Sequence, residues 1–167
     1  MAERTIPSDV PIRVVGDVHG DAAAFRYAAA TERFVVQLGD LTDYGPDNAG
    51  VLRIMFQLID EGRGLFLLGN HDLKLARFLA GHPVRNEAGL GKTLAQLDDD
   101  LRERVVAEVA AAPAWLQRDG TVFVHGGFHT AMLEGVSPPD HGLDRARGVM
   151  ARALYGEPTG QIGRAHV

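Results

Sequence analysis

The most informative absences in this chain of 167 residues are those of cysteine, long apolar runs and excess positive charge. Without cysteine there is no disulfide framework, no thiolate metal ligand and no cysteine nucleophile. No apolar run approaches the length of a membrane span, and residues 1–10 carry no apolar signal segment, so we expect a cytoplasmic protein without a membrane partner. The net charge of −5 argues against strong, sequence-independent binding to nucleic acid, which requires a basic surface.

Short apolar segments alternate with helical patterns along the chain, and this order favours a single α/β domain. Four apolar segments bounded by Gly, Asp or Pro predict strands at Ile12–Gly16, Phe34–Leu38, Leu65–Leu68 and Thr121–Val124. Apolar residues at helical spacing predict helices at Asp21–Ala30, Asn48–Ile59, Asp72–Leu79 and Thr93–Ala111. Residues 80–91 and 134–140 are predicted to be loops, and Trp115 is predicted to pack in the core.

Polar side chains able to bind a metal ion follow each of the four predicted strands. The blocks are GDVHG at 16–20, GDLTDYG at 39–45, GNHD at 69–72 and HGG at 125–127. Ligands of open α/β sheets bind beyond the carboxyl ends of the strands, so these side chains are expected to meet in one place. A single Asp or His there is usually a turn, cap or structural residue, and the prediction therefore depends on the four blocks occurring together.

The order of these blocks resembles that of the calcineurin-like metallophosphoesterases, over Ile12 to Gly127. The resemblance is to the branch with Ser/Thr protein phosphatases and diadenosine tetraphosphatases. The helix after GNHD and the stretch Ala153–Glu157 look most similar to the phosphatase domain of bacterial polynucleotide kinase-phosphatases. The resemblance implies an α/β fold with two packed, mixed β-sheets flanked by α-helices. The predicted strands alone fit a doubly wound sheet equally well.

The resemblance also implies a ligand set for two divalent metal ions, of the kind Mn, Fe, Zn, Ni or Co, with Mn favoured. Asp17 and His19 would hold the first metal, Asp40 would bridge both, and Asn70 and His125 would hold the second. Oxygen and imidazole ligands suit such ions. The implied reaction is hydrolysis of a phosphate ester by in-line attack of a hydroxide that bridges the metals.

His71 is the implied catalytic acid, which protonates the leaving alkoxide. Asp43 would be its carboxylate partner, because a neighbouring carboxylate keeps an imidazole protonated near neutral pH. Asp72 is the less favoured partner, and the alternative for Asp72 is to cap the helix that follows.

The predicted substrate is a small phosphorylated molecule or nucleotide, a polynucleotide end or a dinucleoside polyphosphate. Protein phosphatases of this type carry an Arg that grips phosphate where this chain has Tyr44, so a Ser/Thr protein phosphatase is the weaker alternative. Asn70 and Tyr44 are candidate substrate contacts. Lys74 and Arg77 either compensate for the absent Arg or are solvated helix charges. A non-catalytic module that binds metal or phosphate is the alternative from another class.

The family pattern requires one more His downstream, for which the candidates are His129, His141 and His166. His166 lies in IGRAHV at 162–167, which matches the translation of a common sequencing adapter in one frame. We therefore expect residues 11–160 to form a partial metallophosphoesterase domain and residues 161–167 to be non-native sequence. We also expect the final ligand to be missing and this chain by itself to have little activity. The sequence does not determine the oligomeric state.

Overall fold

Three parallel strands at the centre of the molecule carry the first three polar blocks at their carboxyl ends. The computed structural model describes residues 4–85, 88–134 and 142–157. The strands are β1 Ile12–Val15, β2 Phe34–Gln37 and β3 Gly64–Phe66, in the order β1-β2-β3. Val14 pairs with Val36, and Val36 pairs with Leu65. In the middle strand β2, Val35 and Val36 point to opposite faces and are both fully buried, so the sheet is covered on both faces there.

Helices connect these strands and bury the main core against the sheet. They are α1 Ala22–Ala29, α2 Asn48–Asp60, α3 Asn70–Leu79, α4 Ala88–Leu94, α5 Asp99–Ala110 and α6 Val149–Tyr155. Asp21 and Asp47 begin α1 and α2 by accepting hydrogen bonds from the backbone of their first turns. Phe25 of α1 and Phe56 of α2 are almost fully buried in this core.

A second, two-stranded antiparallel sheet packs against the first and carries the fourth polar block. Its strands are β4 Trp115–Arg118 and β5 Thr121–Val124, joined by a tight turn in which Asp119 and Gly120 both have positive φ. Leu116 of this sheet shares a small apolar core with Val36 and Leu65 of the first. The α/β class and the two packed sheets expected from the resemblance are therefore confirmed, with one sheet parallel and the other antiparallel.

The structure corrects three details of the predicted elements. The single helix expected over Thr93–Ala111 is divided into α4 and α5, because the Asp98 carboxylate accepts a hydrogen bond from Leu101 N–H and begins a new helix. Part of the loop expected over 80–91 belongs to α4, and β4 was not predicted. Trp115 lies in the core as expected. Within the described ranges, no helix is both long and apolar enough to cross a membrane.

The predictions for the end of the chain concern residues outside the described ranges. These are the final ligand candidates His141 and His166, the non-native sequence at 161–167 and most of the predicted loop 134–140. His129 is described: its Nδ1 accepts a hydrogen bond from Ala131 N–H and so caps a single turn of 3-10 helix at Thr130–Leu133.

Candidate metal centre and catalytic pair

Backbone hydrogen bonds draw the loops after β1, β2 and β3 together. The N–H groups of Val18 and His19 both donate to the Asp40 carbonyl, at 3.1 and 3.0 Å. The buried Gln37 side chain donates to the carbonyls of Gly16 and Gly39, and so ties the ends of β1 and β2 to each other. The first two polar blocks are therefore held side by side at one edge of the sheet.

The loops adopt conformations that residues with a Cβ rarely take. Of the five non-glycine residues with positive φ in the described part of the chain, four lie in these loops: His19, Asp40, Asp43 and Tyr44. Such backbone strain persists only where the surrounding structure holds it in place, and it is concentrated at functional sites. The backbone geometry thus marks the same place that the polar blocks mark in the sequence.

One oxygen of Asp40 is the point on which the candidate ligands converge. Asp40 Oδ2 lies 3.4 Å from His125 Nε2, 3.7 Å from His19 Nε2 and 4.0 Å from His71 Nε2. Asp17 joins the group, since its Oδ2 lies 3.8 Å from His19 Nε2. These separations exceed the usual hydrogen-bond length of about 2.7–3.2 Å and leave room for a cation between the donors.

The histidines are oriented as metal ligands usually are. His19 Nδ1 lies 2.9 Å from the Thr42 carbonyl, and His125 Nδ1 lies 2.9 Å from the Leu38 carbonyl. A backbone carbonyl at Nδ1 fixes the ring and turns Nε2 towards the site. Ligand atoms of Asp17, His19 and Asp40 all lie within 4.8 Å of one another. The donor set therefore fits a divalent metal ion.

Asn70, the first residue of α3, and His125, which directly follows β5, meet beside Asp40. Asn70 Oδ1 lies 3.2 Å from His125 Nε2. Burial lowers the pKa of His125, but the close contact with Asp40, whose Oδ2 lies 3.4 Å from Nε2, and the negative charges of Asp40 and Asp17 outweigh burial and raise it to about 9. Without a cation, therefore, the carboxylates hold a proton on this imidazole.

His71 and Asp43 form a close pair beside this cluster. His71 Nδ1 lies 2.6 Å from Asp43 Oδ2, and Thr93 Oγ1 donates to Asp43 Oδ1 at 2.9 Å. Burial raises the pKa of Asp43, but hydrogen bonds from His71, Lys74 and Thr93 outweigh it and lower it to about 2. Burial lowers the pKa of His71, whereas the hydrogen bond to Asp43 and the Asp40 charge raise it, and the net shift is upward.

Besides Asn70, the three candidate substrate contacts occupy different places. Tyr44 is 63% exposed, and its ring packs edge-on against His19 and His71, with centroids 4.9 and 5.4 Å apart. Lys74 points inward, with Nζ 2.8 Å from Asp43 Oδ2, and so is not a solvated helix charge. Arg77 is buried and donates to the carbonyl of Leu143, which gives it a structural contact and likewise removes it from solvent.

Sequence reasoning missed the groups that surround Asp43. Lys74 follows His71 by three residues in α3, a spacing that places two side chains on one face of a helix and would have signalled the contact. Thr93 had no such signal, because it lies 50 residues from Asp43 in the chain. The five expected ligands and the expected pair do lie together, but their roles as ligands and catalysts stay predictions.

Most of the chain matches one protein family. Residues 10–150 match the family model described as calcineurin-like phosphoesterase. The chain belongs to the calcineurin-like phosphoesterase family. Members of this family use divalent metal ions, and the Asp17, His19 and Asp40 group is a candidate site for one in this calcineurin-like phosphoesterase.

Relatives of this calcineurin-like phosphoesterase include two kinds of nucleotide hydrolase. It is 26% identical to the asymmetrical bis(5'-nucleosyl)-tetraphosphatase PrpE of Oceanobacillus iheyensis, over 90% of this chain and 66% of the relative. It is 33% identical to the symmetrical bis(5'-nucleosyl)-tetraphosphatase of Ralstonia nicotianae, over 72% of this chain and 43% of the relative. The chain thus spans less than two thirds of the length of each.

A solved structure supports the fold of this calcineurin-like phosphoesterase. A protein serine/threonine phosphatase from Saccharomyces cerevisiae superposes with a TM-score of 0.66 at 14% identity, over 89% of this chain and 49% of that chain. At this identity the similarity concerns the fold alone.

Proposed function

We propose that this chain carries the metal centre of a phosphoester hydrolase that acts on a nucleotide, with a dinucleoside polyphosphate as the first substrate to test. The observation that carries the proposal is the convergence of imidazole and carboxylate groups from four strand ends on Asp40 Oδ2. A buried carboxylate faced by several imidazole nitrogens is the kind of donor set that binds a divalent cation.

Two divalent ions are the cofactors in this proposal. Oxygen and imidazole ligands suit ions such as Mn, Fe or Zn, and Mn²⁺ is the first to test. Asp17 and His19 would hold one ion, Asn70 and His125 the other, and Asp40 would be shared. Bound in pairs, such ions activate water as a nucleophile and neutralise charge on the phosphoryl oxygens.

His71 would supply the proton that the leaving oxygen needs. Its Nδ1 is occupied by Asp43, so its Nε2, which faces Asp40 Oδ2 at 4.0 Å, is the nitrogen that points into the site. The raised pKa of His71 keeps a proton available near neutral pH, and Asp43 fixes the orientation of the ring. The pair therefore has the geometry and charge of a general acid.

A nucleotide substrate fits the surface beside this pair better than a phosphoprotein does. The exposed ring of Tyr44 offers a face and one hydroxyl but no guanidinium fork for phosphate. The names of the relatives point in the same direction, since both are dinucleoside tetraphosphatases. A nucleotide substrate also agrees with the cytoplasmic location expected from the sequence.

The test is hydrolysis of bis(5'-adenosyl) tetraphosphate with added Mn²⁺, followed by chromatography of the products. Two molecules of adenosine diphosphate would indicate symmetrical cleavage. Adenosine monophosphate together with adenosine triphosphate would indicate asymmetrical cleavage. We expect Asp40→Asn to abolish turnover in the full-length enzyme. His71→Asn should lower the rate by about 10²- to 10⁴-fold, because it removes the general acid. The matched control is His82→Asn, since His82 is exposed in a loop after α3.

Two further measurements separate the alternatives. An aryl phosphate has a good leaving group that needs little protonation, so His71→Asn should slow its hydrolysis much less than that of the nucleotide. A phosphopeptide and a 3'- or 5'-phosphorylated oligonucleotide test the other substrate classes. Because this chain by itself is expected to have little activity, these assays use a protein extended to the length of its relatives. Mn²⁺ binding by that protein without turnover of any of these compounds would refute the catalytic proposal in favour of a metal-binding module.

A further inference from the structure

Asp72 is a buried carboxylate that the proposed reaction does not use. Its side chain is only 2% exposed. Among the hydrogen bonds of the described residues, those of Asp72 go to main-chain N–H groups and none goes to the imidazole of the neighbouring His71. Both its oxygens are instead bonded to main-chain N–H groups. Oδ2 accepts from Asp40 at 2.8 Å and from Gly69 at 3.0 Å, and Oδ1 accepts from Leu41 at 3.0 Å.

Only one of these three bonds has the purpose of an ordinary helix cap. Asp72 is the third residue of α3, and its carboxylate accepts a hydrogen bond from the N–H of Gly69, the residue that precedes the helix. The bonds to Asp40 and Leu41 reach 32 and 31 residues back along the chain, to the loop after β2. Asp72 therefore connects the start of α3 to the residues that surround the candidate metal centre.

The connection is made in both directions. The Asp72 carboxylate accepts from Asp40 N–H, and the Asp40 carboxylate accepts, through Oδ1, from His71 N–H at 2.9 Å. Because Oδ1 of Asp40 is engaged in this way, Oδ2 is the oxygen left to face His19 and His125. The bond from His71 N–H thus leaves Oδ2 of Asp40 for the site, and the bond to Asp72 holds the main chain from which this side chain projects.

The Asp40 backbone would not hold this geometry unaided. Its φ of 59° lies in the left-handed region, which residues with a Cβ avoid. The close approach of the two loops leaves no space for a side chain at Gly69, where an added Cβ would lie 2.3 Å from both the nitrogen and Oδ1 of Asp40. A rare conformation in tight packing needs fixed partners, and Asp72 supplies two of them.

We propose that Asp72 is a positioning residue for the metal centre: it holds the main chain of Asp40 so that Oδ2 points at the histidines. The role rests on the proposed function, because it matters only if Asp40 binds metal. It predicts that Asp72 acts on metal affinity through Asp40, without touching the metal or the substrate.

The decisive variant is Asp72→Asn, which keeps the volume but replaces one acceptor oxygen by an NH₂ group that faces backbone N–H groups. We expect Mn²⁺ affinity, measured by calorimetry, to fall by about 10- to 100-fold. Asp72→Glu keeps both acceptor oxygens and should bind Mn²⁺ more tightly than Asp72→Asn. The matched control is Asp98→Asn, which alters a carboxylate cap of α5 and should leave Mn²⁺ affinity unchanged.

A metal-free readout accompanies the affinity. In the apo protein, the amide resonances of Asp40 and Leu41 should shift in Asp72→Asn and stay in place in Asp98→Asn, because charged acceptors strengthen the bonds that these amides donate. A folded Asp72→Asn variant with wild-type Mn²⁺ affinity would overturn the proposal. So would loss of the fold in both Asp72 variants, which would make the residue purely structural. Failure of the wild type to bind Mn²⁺ is a different result, since it would remove the metal centre itself.

Discussion

Binding of the second metal ion should release a proton from His125, and this makes Mn²⁺ affinity depend steeply on pH. His125 lies between Asp40 and Asp17, whose charges raise its pKa to about 9 from its ordinary value of 6.5. A histidine must be neutral to coordinate a metal through Nε2, so the proton and the metal compete for the same nitrogen.

The size of the effect follows from the distance between the pKa and the working pH. A pH of about 7 lies about two units below the pKa of His125. Removing the proton at that pH costs about 2.7 kcal/mol, which lowers the apparent Mn²⁺ affinity by about 100-fold. The sign is fixed: affinity rises by about tenfold per pH unit up to about pH 9 and levels off above it. The stability of the metal-free fold depends on pH in the opposite sense. The charged His125 stabilises the fold fully below its unfolded pKa of about 6.5, and that contribution is lost as pH rises through about 9.

Calorimetry in two buffers of equal pH but different protonation enthalpy measures the protons released. We expect about one proton for each Mn²⁺ bound at the His125 position near neutral pH. His125→Asn, which keeps an amide oxygen as a ligand, should release almost none, and His82→Asn should behave as the wild type. An affinity that does not change with pH, together with no proton release from the wild type, would refute the reasoning.

Three further outcomes are expected. Gly69→Ala should weaken Mn²⁺ binding about tenfold or more by calorimetry, because its Cβ would lie 2.3 Å from the nitrogen of Asp40. Gly91→Ala, whose Cβ meets nothing within 4 Å in α4, should instead stabilise the fold by about 0.5–1 kcal/mol in urea unfolding. Phe25→Ala removes a side chain that is 1% exposed and should cost about 3–5 kcal/mol, whereas Tyr27→Ala in the same helix, 84% exposed, should change stability by less than about 0.5 kcal/mol. A chelator should lower the Tm of a protein purified with Mn²⁺, since saturation at about 100 times Kd contributes about 2.7 kcal/mol; an unchanged Tm would argue against bound metal.

The parts of the fold that could be predicted are those set by neighbours in the chain. β1, β2 and β5 were predicted to within a residue at either end, because each is an apolar run bounded by turn residues. The helix expected over Thr93–Ala111 was wrong in its continuity, since apolar spacing continues across the break that Asp98 introduces. β4 was missed because Trp115–Arg118 is short and half polar, and it becomes a strand only by pairing with β5.

For the site, the order of residues was enough to predict which chemical groups stand at the strand ends. Parallel strands joined by helices bring their carboxyl ends to one edge, so blocks such as GDVHG and GNHD had to meet once the strands formed. Which atoms face each other became clear from the three-dimensional structure alone. Oδ2 of Asp40 faces the histidines, Lys74 and Thr93 contact Asp43, and Asp72 accepts a hydrogen bond from the Asp40 backbone. These contacts depend on packing between residues that are distant in the chain. They also depend on which of the two oxygens of one carboxylate faces the site. The spacing of residues in the sequence specifies neither.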